Sequence, residues 1–313
     1  MSILRQSVVR GPAIVRMGDQ SFYSKDDVKL TIELKTFDIV VATAGKVSQR
    51  VSDLIAKIAF TPVGAWTLPQ LAILYPHGTP VIGGSLFGAA DVPVKIWPLS
   101  GTGSWSFLAS AITKMPTLKL SPIETVMGET EITCVIGNGL ERSAEGSLYT
   151  YAATDAFTDE LDFDLADVLT CPYANTFSGP TDWIAPFETA KGIEIAFAMG
   201  LKPVISANQG TIDMTLSGLD ITAKFQPLGF TDKQVLDRLA ADGVALGTDV
   251  SSAAANLTCT GGDAALPKVV VNAMRLRNAP LLFSLENERV GDLEFFATRP
   301  TGAGAMFSVG MGP

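Results

Sequence analysis

Catalysis or metal binding would require nucleophiles, bases or ligands gathered at workable spacing, and few groups here qualify. The single histidine, His77, lies in Pro76-His77-Gly78. No Cys or Asp stands within a few residues of it to suggest a triad or a zinc site. The three cysteines, Cys134, Cys171 and Cys259, are odd in number and make no CxxC pair. They read as free, buried thiols of a reducing compartment. Gly83-Gly84-Ser85-Leu86-Phe87-Gly88 is the nearest approach to a phosphate loop, but it lacks the Lys-Ser/Thr that would follow. It reads as a turn before a strand over Val92–Trp97. Asp159, Glu160, Asp162 and Asp164 could be taken for a calcium loop, yet Phe163 and the missing central Gly spoil the spacing. No catalytic, cofactor or metal residues are expected, and the chain does not read as an enzyme.

Composition sets the wider frame. The length of 313 residues suggests about two domains. An apolar content of 47% supplies real cores, while 18% charge, 29 glycines and 18 prolines favour a turn-rich β protein. The net charge of −9 lacks the footprint of a nucleic-acid binder. A surface that repels phosphate can nevertheless guide DNA without holding it. No apolar run approaches membrane-spanning length, and residues 1–20 show no signal peptide. The tryptophans (Trp66, Trp97, Trp105, Trp183) and phenylalanines stand at strand-like positions, which suits core packing rather than base stacking.

The elements are organised by a repeat. Gly45–Leu74 matches Gly210–Leu239 without a gap at an offset of 165. Eight pairs are identical, among them Gly45/Gly210, Phe60/Phe225, Pro62/Pro227 and Gly64/Gly229. Unrelated stretches would agree at roughly two of those places. Two tandem homologous modules are therefore expected. In each, an alternating strand (Val28–Leu34; Ile193–Met199) precedes a second one (Val51–Phe60; Leu216–Gln226) that should stop at the proline and turn at the glycine. Thr67-Leu68-Pro69-Gln70 and Thr231-Asp232-Lys233-Gln234 then have capping-box spacing ahead of one helix apiece.

Further strands should follow at Trp105–Ile112, Leu118–Leu120 and Glu131–Ile136, with counterparts at Lys268–Leu276, Leu281–Leu285 and Leu293–Thr298. Met127-Gly128-Glu129-Thr130-Glu131 matches Val290-Gly291-Asp292-Leu293-Glu294 at an offset of 163, a glycine turn beside paired acids. The expected division is a leader (1–20), a first module (21–150), an acidic linker (151–175), a second module (176–300) and a glycine-rich tail (301–313).

With SDLIAKIAFTPVG, SGLDITAKFQPLG and the alternating strands around them, the chain resembles the major tail tube proteins of long-tailed bacteriophages, of the fused double-module type. Their fold is related to type VI secretion tubes. The phrases YPHGTPVIGGSLFGAADVPVKIW and ITKMPTLKLSPIETVMGETEITC are similar to those of phage structural proteins of this sort. The resemblance covers about Ser21–Ile136 and Trp183–Thr298. It implies a mainly β fold, a sandwich or open barrel with one flanking helix per module, and a virion structural subunit made in the host cytoplasm. Copies would form trimeric, pseudo-sixfold rings stacked into a tube that conducts double-stranded DNA without specific binding. Terminator, tape-measure and distal tail proteins would be its other partners, and no membrane is involved. On this reading Asp220, Glu131, Glu294, Glu129 and Asp292 face an acidic lumen; the bland alternative is that they are ordinary solvent-facing strand residues. Another virion component (terminator, adaptor or decoration protein) and a β-rich glycan- or host-binding module remain competing functions.

Overall fold

The computed structural model describes residues 13–63, 67–87, 92–99, 103–121, 125–136, 148–158, 173–178, 188–206, 210–228, 255–261, 267–278, 291–298 and 304–311. These residues form a mainly β fold of curled sheets with one helix. The first half comprises β1 (Ala13–Met17), β2 (Gln20–Ser24), β3 (Lys29–Val41), β4 (Gly45–Phe60), β5 (Pro62–Val63), helix α1 (Leu68–Leu74), β6 (Val94–Pro98), β7 (Ser104–Phe107), β8 (Ala109–Lys114), β9 (Leu118–Leu120), β10 (Thr125–Met127), β11 (Thr130–Val135) and β12 (Thr150–Ala152). The second comprises β13 (Tyr173–Ser178), β14 (Glu188–Ser206), β15 (Gly210–Leu228), β16 (Ala255–Gly261), β17 (Pro267–Asn278), β18 (Leu293–Ala297) and β19 (Phe307–Met311).

Three antiparallel sheets result. One has the order β12-β7-β6-β1-β2-β5 and another β3-β4-β11-β8. The third runs β10-β9-β14-β15-β18-β17-β16-β13, with β19 also paired to β17. Alternation explains which faces are buried. Ala56, Ile58 and Phe60 of β4 and Leu219, Ile221, Ala223 and Phe225 of β15 turn into the core. A single cluster of buried side chains runs through all three sheets. Phe22 of β2 meets Phe60 at 6.2 Å, and Phe225 stacks on Phe295 at 5.2 Å.

The two halves share strand order and register. Leu34 faces Leu54 as Met199 faces Leu219. A bulge follows Lys35 and another follows Gly200, the aligned position; Ile39 and Val204 are followed by bulges in the same way. Phe60 faces Thr130 as Phe225 faces Leu293. Ile96 faces Trp105 as Cys259 faces Val269, and Trp105 faces Tyr151 as Val269 faces Val309. One difference is instructive. β7 and β8 break at Leu108 between two sheets, whereas β17 continues through, with Ala273 at φ 52 where it bends. The second half therefore keeps in one curled sheet what the first divides between two.

Several expected boundaries move. Residues 13–17, read as part of a leader, are β1, with Ala13 and Val15 fully buried. The tail expected at 301–313 contains β19, where Phe307 is buried, and β12 takes residues assigned to the linker. These strands occupy equivalent places on β17 and β7, so each half ends on a closing strand. Runs of three and five residues are too short to establish a period in the sequence. β4 ends before Pro62 as expected, but β15 runs through Pro227, which faces Thr189 near the end of the strand pair. Within β4 the adjacent apolar Leu54 and Ile55 interrupt the alternation. Ile55 is buried on the opposite face, under Phe87 with Ala109, Ala111 and Val135.

Helix α1 starts as its sequence dictates. The Thr67 hydroxyl accepts from the Gln70 N–H, and Gln70 Oε1 accepts from the Thr67 N–H at 2.9 Å. Pro69 stands in the first turn, and Leu71 and Leu74 are fully buried. Gln70 Nε2 also donates to the Ser21 carbonyl, anchoring the helix on β2. The helix is far too short to cross a membrane. The second capping box, the strand expected at 281–285, Gly64, Gly229 and the acidic run 159–170 lie outside the described residues.

Candidate functional site

The strand faces opposite the core carry alternating charge. On β3, β4, β11 and β8 that face presents Lys29, Glu33, Lys57, Glu131 and Lys114. Lys57 Nζ lies 2.8 Å from Glu33 Oε1. That hydrogen bond raises the Lys57 pKa against the opposing effect of burial, helped by the charges of Glu33 and Glu131. Lys114 pairs with Glu129 at 2.8 Å and faces Glu131 across the strands. In the second half Lys224 stands between Glu194 and Glu294, directly opposite both. Arg277 approaches Glu294 at 3.8 Å.

Four of the five acids singled out above thus border cations. Glu129 and Glu131 share Lys114, and Glu294 lies beside Lys224 and Arg277. Asp220 lines a groove of about 280 Å³ with Thr222, Arg277 and Phe296. Asp292 is exposed in the turn before β18 and joins none of these groups. The strip is mixed in sign rather than uniformly acidic. Its carboxylates pair with Lys57, Lys114 and Arg277. Gly45 and Gly210 open β4 and β15, and Phe60 and Phe225 fill equivalent core places.

A contact between the halves has no warning in the sequence. Asp53 of β4, 5% exposed, accepts from the Thr211 N–H at 2.8 Å and from the Thr211 hydroxyl at 2.8 Å. Burial works to raise the Asp53 pKa, but these hydrogen bonds and Lys35 outweigh it and hold the carboxyl below its ordinary range. Gly210, at φ 72, makes the approach possible: a Cβ there would stand 2.8 Å from the Asp53 Cα. Close by, Gly83 and Gly84 exchange backbone hydrogen bonds with Leu216, and Leu86 N–H donates to the Met214 carbonyl. The glycine-rich turn therefore serves as a strand-like cover for β15. On the other edge of that hairpin, β9 of the first half pairs with Ile193–Ile195.

Among the described residues the β3–β4 hairpin has no such covers. β3 stands at a sheet edge, and no described strand pairs with its outer side. Phe37 is 51% exposed and Val51 57%, whereas Leu216, aligned with Val51, is 2% exposed. Ile32 is 39% exposed against 6% for its counterpart Phe197, which packs on Tyr75 and Phe307. An open edge flanked by apolar side chains is a surface ready for another chain.

No model of a known protein family matches the chain, and no curated protein is significantly similar to it. Among the described residues no three His, Cys, Asp or Glu side chains gather where they could hold a metal ion. His77 follows α1 with its pKa lowered by burial, and Cys134 and Cys259 are buried free thiols.

Proposed function

We propose that the chain is a structural subunit of a phage tail tube, assembling with copies of itself into trimeric, pseudo-sixfold rings that stack around passing DNA. The observation that supports this most is the equal strand order and register of the two halves, joined to an open, apolar β3–β4 hairpin on only one of them. Two quasi-equivalent modules in one chain turn three copies into six similar wall segments. A head-to-tail contact between them closes a ring when the rotation allows it. The mixed polar face, with Glu131, Glu294 and Asp220 on it and Glu129 and Asp292 at its margin, is the proposed lumen lining. Its ion pairs occupy Lys57, Lys114 and Arg277, which weakens the grip on a duplex, so DNA would slide. Terminator, tape-measure and distal tail proteins would cap and fill such a tube in the virion.

Negative-stain microscopy of the purified protein tests the reading. Continuous stacks of rings are expected. Isolated single rings would favour a terminator or adaptor, and monomers at every concentration would remove the proposal.

A further inference from the structure

Among the described residues, the positions aligned with the contact that joins the halves make no corresponding hydrogen bond within the chain, and Lys46 pairs instead with Asp38 of its own hairpin at 2.7 Å. Within the chain, the tip of the β14–β15 hairpin sits on β4, with Thr211 against Asp53 and Met214 packed on the cluster that holds Ile55 and Phe87. The aligned positions are Lys46 for Thr211, Gly218 for Asp53, Gln49 for Met214 and Asp220 for Ile55. All four changes compensate. A short Thr against a carboxylate becomes a long Lys against a glycine, and a Cβ at Gly218 would meet nothing within 4 Å. An apolar Met on Ile becomes Gln on Asp. The groove of about 280 Å³ lined by Asp220, Thr222, Arg277 and Phe296 opens on the same strand, β15.

We infer that the tip of the β3–β4 hairpin seats on β15 of a second copy, over Gly218 and the groove beside Asp220, repeating between chains the contact that Thr211 and Asp53 make within one. The occupant follows from register: the β3–β4 hairpin of this chain carries the bulges that match those of β14–β15 and the open faces of Val51 and Ile32 to be covered. The contact is head-to-tail, so each copy both offers a tip and receives one. The inference deepens the tube-subunit reading by assigning the surface through which copies join.

The test is a Lys46→Cys/Gly218→Cys double variant of the full chain, with Cys171→Ser to remove a competing thiol. Lys46 is exposed and Gly218 has room for a side chain, so both changes are compatible with the fold. Mild oxidation of assembled protein is expected to give disulfide-linked multimers on a non-reducing gel, absent from either single variant. Assembled particles without the 46–218 crosslink would overturn the inference while leaving the tube reading intact. Crosslinked closed oligomers that never stack would uphold the interface and overturn the tube. A soluble protein that stays monomeric and uncrosslinked at high concentration would overturn both. Gly218→Trp, which plugs the seat, is expected to lower assembly at fixed concentration at least tenfold with an unchanged circular dichroism spectrum. Undiminished assembly would contradict the inference.

Discussion

The Asp53 carboxylate receives both the backbone N–H and the hydroxyl of Thr211, 158 residues further along the chain. It fixes the turn of one long hairpin against the middle of the other. Replacing Asp53 by Ala leaves a buried N–H without an acceptor, and a loss of about 1–3 kcal/mol in unfolding free energy is expected. Asp53→Asn retains one acceptor and should lose less. Urea denaturation of the three proteins checks the order.

The same carboxylate gives a pH dependence with a definite sign. Its folded pKa lies below the ordinary value of 3.8, so the unfolded chain takes up this proton first. The stabilisation is complete above about pH 4 and is lost as pH falls through the folded pKa. The midpoint denaturant concentration of the native chain should drop more steeply between pH 4 and 2 than that of Asp53→Asn. Equal slopes would mean that the hydrogen bonds do not favour the charged form.

Tyr75 joins three parts of the fold. Its ring lies 5.3 Å from Phe197 and 6.4 Å from Phe307, and its hydroxyl donates to the Pro116 carbonyl at 3.1 Å. Tyr75→Phe removes one buried hydrogen bond and should cost about 1 kcal/mol. Tyr75→Ala adds a cavity among α1, β14 and β19 and should cost about 3–5 kcal/mol. Thermal denaturation would show the two steps.

Gly78 is fixed by close approach. A Cβ there would stand 2.7 Å from the Phe307 carbonyl oxygen, while the Gly78 carbonyl accepts from the Met306 N–H at 2.8 Å. Gly78→Ala must push β19 away and should cost about 1–3 kcal/mol, with faster proteolysis of the C-terminal strand. Gly310→Ala, where a Cβ meets nothing within 4 Å, should be neutral and serves as the control.

Cys134 and Cys259 are fully buried, and burial pushes both thiols up, away from the reactive thiolate. In a Cys171→Ser chain neither should react with a maleimide until denaturant opens the core. Prompt labelling of native protein would contradict their placement.

Legibility followed the reach of the signal. Alternation placed the middle of β15, and Thr67 with Gln70 announced α1 through four adjacent residues. The repeat at Phe60 and Phe225 located two strands whose pairings prove equivalent in register. Short strands such as β1, β12 and β19 have too few residues to show a period, and only their partners define them. Ile55 broke the alternation because β4 is covered on both faces there, by the core on one and by Phe87 from a loop on the other. The bond between Asp53 and Thr211 could not be read at all, since an isolated acid on a strand looks like a solvated one. The acids Glu129, Glu131 and Glu294 stand out in the sequence, but the lysines and arginine beside them depend on register across strands.

Charge on the polar face has its own test. Reversing Glu131 and Glu294 together to Lys would surround Lys57, Lys114, Lys224 and Arg277 with further cations. Assembled variant protein should then retain duplex DNA in a salt-sensitive way, while the native assembly retains none at about 0.1 M salt. Equal retention would take these acids off the proposed lumen.

The central claim is that two equivalent halves per chain build one closed wall. Electron cryomicroscopy of the assembled protein, viewed along its axis, measures this directly. The account predicts three chains per ring and six similar lobes, with each β3–β4 tip against β15 of its neighbour. A ring whose lobes number the same as its chains, or one in which that hairpin points into solvent, would contradict it.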